Sequence, residues 1–346
     1  MIGVRKNAQA GSDMVNARDD LMAAIAQDGF GVPETLRMVR LKRPEIGSGE
    51  VLLEVHAAAV NPYDWHMVRG DPRIARLMGG VGLTRPKARI AGVDVAGRVC
   101  QVGADVTELQ AGDDVFGFAR GAFAEYAVAD ANFVVHKPAS LSFEQAAALP
   151  MAAVTALHAI CDRGQAQPRQ RVLVNGAAGG VGSLAVQIAA ALGAEVTGVC
   201  SDRNTELVRS IGAAHVIDYA AEDFADGTVR YDLILDNVGN RAIGELRRAA
   251  TPSGTIIVNG GGSPGHIIGA VGRLLRAVIV NLFAGQRITM VPTTWSKADL
   301  LAVAELVESG QLRPVIDRTY PLAETAAAVR YVEAGHARGK VIITVM

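Results

Sequence analysis

Arg171-Val-Leu-Val-Asn-Gly176-Ala-Ala-Gly179-Gly180-Val181-Gly182-Ser183-Leu-Ala-Val-Gln-Ile-Ala decides the fold. Val172 to Val174 is a short apolar run and reads as a buried strand. A glycine-rich turn follows, then an apolar helix from about Ser183 to Leu192. Gly176, Gly179 and Gly182 each remove a Cβ where a strand turns sharply into a helix. Gly179 lets the backbone approach a pyrophosphate, and Gly182 lets helix and strand pack closely. The open N–H groups of Gly180 and Val181, at the positive end of that helix, then face the phosphates. Ala177 holds the first-glycine place of the strict dinucleotide fingerprint, so the turn alone leaves a bare tight turn as the alternative.

The following sequence removes that alternative. Glu195 to Cys200, His215 to Asp218, Tyr231 to Leu235 and Gly254 to Asn259 read as further strands, with Ile288 to Val291 as a sixth. A helical stretch from Asn204 to Ile211 separates two of them. Almost wholly apolar strands alternating with helices predict a doubly wound parallel sheet covered on both faces. Its ligand crevice lies at the carboxyl ends of the strands.

At 346 residues, two domains are the default. Half the residues are hydrophobic and a fifth charged, enough for a sizeable core, and the net charge of −1 offers no basic stripe for nucleic acid. Three cysteines, Cys100, Cys161 and Cys200, form no C-x-x-C pair, which points away from disulfides and toward the reducing cytoplasm. Val172 to Ala194 is uncharged and long enough to span a membrane, but its five glycines, Asn175 and Gln187 fit the strand-turn-helix better. Met1 to Asp20 is polar without a hydrophobic core and reads as a disordered extension, with residues 1–21 outside the folded domains.

From Met22 to about His136 the chain reads as short strands with Gly, Pro and Asp turns, a small β-barrel-like domain. Ser142 and Gln145 mark a helix start that bridges into the nucleotide domain. The final segment predicts a helix over Lys297 to Glu308, a strand near Val315-Ile-Asp, a helix over Ala323 to Glu333, and a last strand from Lys340 to Val345.

The order of parts resembles the medium-chain dehydrogenase/reductase superfamily, in its zinc-independent quinone oxidoreductase branch. The resemblance rests on Glu50 to Asp64, Gly92-Val-Asp-Val-Ala-Gly97, Asn175 to Gly182, Leu207 to Tyr219 and Arg338-Gly-Lys340. It implies a chaperonin-10-like (GroES-like) catalytic domain over residues 22–146, completed by 295–346, with a Rossmann domain over 147–294 and the active site in the cleft. In zinc-dependent relatives, ligands stand at the places held here by Asn61, Val93 and Met151. Val93 has no donor, Met151 only a thioether, and Asn61 is a poor ligand, so no metal is expected. An acceptor reduced without Lewis-acid help follows: a quinone, or alternatively an enone or enoyl thioester.

The resemblance assigns Asn61 a hydrogen bond near the nicotinamide and the substrate carbonyl; a loop cap is the plainer reading. Tyr63 and His66 occupy places of a proton relay in zinc-containing relatives, against ordinary loop packing. Asp64 is read chiefly as a loop anchor. Thr155 resembles a position beside the nicotinamide, against a helix-core threonine, and His158 one turn on reads as a packed helix histidine. After the second strand the diol place falls near Val199, which is not acidic, so Ser201 and Arg203 favour the 2′-phosphate of NADPH. Asp202 is the counter-sign, either an NAD acid or a helix cap. Tyr219 matches a position beside the adenosine phosphate. Asn237 and Asn259 end strands on the cofactor side, and Lys340 resembles a residue near the cleft. A homodimer is expected, paired through Ile288 to Val291. A low-turnover NADPH-binding redox sensor stays open as a different class of function. The substrate loops fall near Pro72 to Arg89 and Phe283 to Ile288.

Overall fold

The computed structural model describes residues 20–71, 82–259, 285–292 and 294–346. Most of the proposed extension, residues 72–81 of the first substrate loop, residues 283 and 284 of the second, and the apolar stretch from His266 lie outside the described residues. Leu21 already belongs to the first strand and not to an extension. That strand, β1 (Leu21–Ala26), pairs antiparallel with β2 (Arg37–Lys42).

The first large sheet is built on β3 (Glu50–Val60), β4 (Asp94–Val102), β5 (Asp114–Phe118), β6 (Tyr126–Asp130) and β7 (Val134–His136). Their order is β3-β4-β5-β7, with β6 also on β3. β3 is apolar over most of its length because both faces are covered, and Val51, Leu53, Val55 and Ala57–Val60 are buried. Between β3 and β4 lies α1 (Pro62–Arg69). The sequence reading treats this stretch as a loop. Asn61 at the N-cap, Pro62 at N1 and an acid at the third helical position are helix-start signals, and Gly70 closes the helix at φ +59.

Two helices lead out of this sheet, α2 (Phe143–Ala147), capped by Ser142 and Gln145 as the sequence predicts, and α3 (Pro150–Leu157). The Rossmann sheet follows, with β8 (Arg171–Asn175), β9 (Glu195–Cys200), β10 (His215–Asp218), β11 (Tyr231–Asp236), β12 (Ala250–Val258) and β13 (Arg287–Thr289). All pairings are parallel, in the order β10-β9-β8-β11-β12-β13. The helices between are α4 (Gly180–Ala191), α5 (Thr205–Ser210) and α6 (Ile243–Ala249). α4 begins three residues earlier than expected: Ser183 N–H already bonds the Gly179 carbonyl at 2.9 Å, so the glycines form its first turn.

The C-terminal segment returns to the catalytic domain through α7 (Lys297–Glu308), β14 (Ile316–Pro321), α8 (Thr325–Glu333) and β15 (Lys340–Thr344). β15 pairs antiparallel with β3, so the first sheet is closed by residues from the far end of the chain. One hydrophobic cluster runs through both sheets, joining Phe116 and Phe118 to Leu149, Val174, Leu184, Val303 and Ile342. α3 packs on α4 and α7 at its centre. Among the described residues no helix is long and apolar enough to cross a membrane.

Candidate active site

A cleft of about 630 Å³ opens between the sheets, at the carboxyl ends of β8, β9, β11 and β12. Its floor is the glycine turn. Gly176 sits at φ +79, and its N–H and that of Ala177 both bond the Val199 carbonyl, at 3.1 and 3.0 Å. A Cβ on Gly182 would lie 2.1 Å from the Gly176 carbonyl oxygen, so only glycine lets the turn close onto the helix. Gly179 is the N-cap of α4 and no side chain caps that end. The N–H groups of the first turn therefore point, uncapped, into the cleft beside Gly179, Gly180 and Val181.

At one end of the cleft stand Ser201, Arg203 and Tyr219. Val199, at the diol place, is fully buried and apolar. Ser201, and not Asp202, is the N-cap of the following 3₁₀ turn, and Asp202 is exposed and outside the cleft lining. Arg203 reaches the His336 carbonyl at 3.4 Å, which brings the C-terminal segment to this end. Ser201 Oγ accepts from Asn204 Nδ2 at 3.2 Å. Tyr219 is half exposed beside them.

At the far strand ends, Asn175 Nδ2 donates to Asp236 at 2.8 Å, and Asn259 Nδ2 donates to Asn237 Oδ1 at 2.8 Å. The Asn237 Nδ2 atom is buried without a partner. A buried amide donor without an acceptor is costly unless a ligand supplies one. Thr155 behaves differently. Its hydroxyl donates to the Met151 carbonyl one turn back, at 2.6 Å, and it is absent from the cleft lining. His158, one turn on, is buried and 3.1 Å from Asp299.

The opposite wall carries charge. Asn61, Asp94 and Lys340 are 2, 0 and 5 % exposed. Lys340 Nζ donates to Asn61 Oδ1 and, at 3.3 Å, to Asp94 Oδ2. Asn61 Nδ2 donates to the same Asp94 oxygen at 3.0 Å. An ammonium only donates and a carboxylate only accepts, so the two partners fix which way the Asn61 amide points. With its side chain so engaged, Asn61 leaves its own helix to Asp64, whose carboxylate accepts the Asn61 N–H at 2.7 Å. Burial raises the Asp64 carboxyl to about 7, against the backbone hydrogen bond from Asn61. Asp64 thus anchors the start of α1 through the Asn61 N–H. Tyr63 and His66 lie on α1 and do not line the cleft; His66 stacks on Trp65, and its Nδ1 is 3.0 Å from the Asp71 carbonyl. Burial raises the Tyr63 phenol and lowers the His66 imidazole.

The residue absent from the sequence reading is Asp94. Its signal was an acid between Val93 and Val95 in an otherwise apolar strand start. Among the described residues no three His, Cys, Asp or Glu side chains converge as a metal site would need. A glycine cradle that a Cβ would fill, an uncapped helix start and an orphaned amide together fit a dinucleotide.

Residues 47–139 match the family described as alcohol dehydrogenase GroES-like domain, and residues 211–343 the one described as zinc-binding dehydrogenase. The chain is 35% identical to the mouse (Mus musculus) NAD(P)H oxidoreductase RTN4IP1, mitochondrial, over 97% of this chain and 92% of that one. It belongs to the medium-chain dehydrogenase/reductase superfamily, in the quinone-oxidoreductase-like branch. Among solved structures, the quinone oxidoreductase from Coxiella burnetii superposes with TM-score 0.82 at 31% identity, covering 94% of this chain and all of that one. The Escherichia coli quinone oxidoreductase complexed with NADPH gives 0.79 at 25% identity, over 93% of this chain and all of that one. The fold of this superfamily member is therefore a GroES-like domain joined to a Rossmann sheet, as its sequence implies.

Proposed function

We propose that this superfamily member is an NADPH-dependent, zinc-independent oxidoreductase that reduces a quinone or another conjugated carbonyl. The observation that carries the reading is the cleft itself: an uncapped glycine turn on one wall faces a buried Asn61–Lys340 pair on the other. When bound, the reduced nicotinamide supplies a hydride. The chain's own residues bind, orient and exclude water. Backbone N–H groups of Gly180 and Val181 would hold the diphosphate, since the Gly179 N–H is spent on the Gly176 carbonyl. Ser201, Arg203 and Tyr219 take the adenosine end, where a guanidinium and no acid favours a 2′-phosphate. The free Asn237 donor is placed for the carboxamide end. Both Asn61 donors are used within the protein, on Asp94 and, at 3.4 Å, on the Ala59 carbonyl. The Lys340 ammonium is therefore the donor that this wall offers to charge developing on the acceptor oxygen. Tyr63 stands off the cleft, so water supplies the proton.

The sequence places at Asn61, Val93 and Met151 no donor set for zinc, which supports the metal-free part of the reading. β13 lies at the edge of the Rossmann sheet, which supports pairing of two copies there. Three unpaired cysteines fit a reducing compartment such as the cytoplasm.

The test follows loss of the NADPH absorbance band with a panel of quinones and enones, with NADH in parallel and a chelator added. Turnover that prefers NADPH and resists the chelator is expected. Activity lost to the chelator overturns the metal-free reading. Tight NADPH binding without consumption of any acceptor turns the conclusion toward a redox sensor.

A further inference from the structure

Asp94 has no part in the reaction just described, and it does not line the cleft. It is the first residue of β4 and wholly buried. Its two oxygens serve three groups. Oδ2 accepts from Asn61 Nδ2 and Lys340 Nζ, and Oδ1 accepts the Met151 N–H at 3.1 Å. Met151 lies in the first turn of α3, whose own N-cap residue, Leu149, has no side-chain oxygen to offer. Asp94 is therefore a non-local cap for α3, with its negative charge at the positive end of the helix. Lys340 closes the triangle by donating to Asn61 Oδ1.

The triangle is also tied to the phosphate turn. The stem of Lys340 crosses Gly180, where a Cβ would lie 2.9 Å from Lys340 Cδ. Next to it, the Gly339 N–H bonds the Ala178 carbonyl at 2.8 Å. One carboxylate thus holds in register the end of β3, the start of β15, the start of α3 and, through the lysine stem, the glycine turn.

We propose that Asp94 is a positioning residue of this site: it sets the orientation of the Asn61 amide and holds the Lys340 ammonium at the cleft wall. The proposal rests on the functional reading above for its effect on rate. The other account of the same geometry is a buried ion pair that only supports the fold. The two differ in the rate of a variant that neutralises Asp94 and keeps Lys340: a purely structural pair loses stability alone, because an unpaired buried charge is costly, while a positioning residue loses kcat as well.

Asp94→Asn, Lys340→Met and the double variant form the test. Asp94→Asn keeps shape and volume but turns one acceptor into an –NH₂ facing other donors. We expect kcat to fall about 100-fold, the loss typical of a misplaced site, with quinone KM changed less than about 3-fold. The side-chain ¹⁵N and ¹H resonances of Asn61, assigned with Asn61→Ala, shift in both single variants and in the double. The double regains most of the melting temperature lost by either single and does not regain kcat. An Asp94→Asn enzyme that loses stability but keeps kcat within about 3-fold of wild type, with Lys340 still present, overturns the proposal in favour of a purely structural pair. So does an unmoved Asn61 resonance in Asp94→Asn, or, should the singles fail to fold, in the double. If the wild type binds NADPH but reduces nothing, the functional reading fails while the amide shift still decides the positioning role.

Discussion

The two walls of the cleft are made by opposite means. The Rossmann wall is built from backbone: Gly176 to Gly182 contribute N–H groups and the absence of side chains, within seven consecutive residues. The catalytic wall is built from buried polar side chains, the Asn61 amide and the Lys340 ammonium with the Asp94 carboxylate behind them, that only the folded sheet brings together. A backbone wall binds an anion without any group that titrates, so its work is insensitive to pH. A side-chain wall places charge where charge develops, at the expense of burying it. The contrast matches a division of labour between holding a cofactor and easing a reaction.

Gly182→Ala strikes the backbone wall hardest. The new methyl meets a backbone carbonyl at 2.1 Å, and nothing flexible can yield. Losses of more than about 4 kcal/mol in stability, in the class of severe strain, are expected with NADPH affinity down by more than about 100-fold; a thermal melt and a fluorescence titration read both. An alanine variant that binds normally would break the comparison.

Behind the other wall, where Asp64 anchors the Asn61 N–H, the expected signature is pH. Asp64 carries its proton to about pH 7 in the fold and releases it near the ordinary 3.8 when unfolded. Between these values the folded state binds more protons, so stability falls as pH rises from 4 to 7 and the loss is complete above that. The three-unit shift sets a ceiling of about 4 kcal/mol. Urea midpoints of wild type and Asp64→Asn across this range should diverge in acid and run parallel in base. Parallel curves throughout would mean that this carboxyl titrates normally.

Arg203→Ala probes the place where, among the described residues, the Rossmann wall relies on a charged side chain. Loss of a charge-assisted contact of about 1.5–3 kcal/mol should lower the NADPH to NADH preference in kcat/KM by about 10–100-fold. An unchanged ratio would return the adenosine end to backbone control. The smallest effect belongs to Tyr63→Phe, which marks where the catalytic wall stops. Because the phenol does not line the cleft, kcat should stay within about 3-fold, less than 1 kcal/mol; a drop beyond 30-fold would extend the wall to α1.

Legibility in the sequence followed the same division. The glycine turn and the alternating strands are local signals, and α7 begins and ends at the expected residues, Lys297 and Glu308. Ser201, Arg203, Tyr219, Asn237 and Asn259 all reach the cleft, since strand ends in a parallel sheet converge on one edge. The catalytic wall was legible only in parts. Asn61 and Asp94 are 33 residues apart, and Asp94 and Lys340 are 246 apart, so no window contains the triangle. What was visible was a lone acid in an apolar strand, a warning that a partner must exist. Thr155 shows the reverse limit. A threonine in a helix faces a ligand or its own backbone according to χ1, and residue type alone does not choose. The start of α1 is encoded in Asn61-Pro-Tyr-Asp64, an N-cap, a proline at N1 and an acid at N3, and the match of Tyr63 and His66 to the proton relay of zinc-containing relatives masks it.

The pairing of β15 with β3 sets a timetable for synthesis. Lys340 follows Asn61 by 279 residues, so at ribosomal speed β3 waits on the order of 15–60 s for its neighbour. Within that interval the Rossmann strands, from Arg171 to Thr289, are all made, while an apolar strand edge stands open to other nascent chains. Yield in a cell should therefore depend on chaperone supply and translation rate more than on the stability of the finished protein, and slowing elongation after residue 290 should cost soluble product while leaving the melting temperature of what folds unchanged.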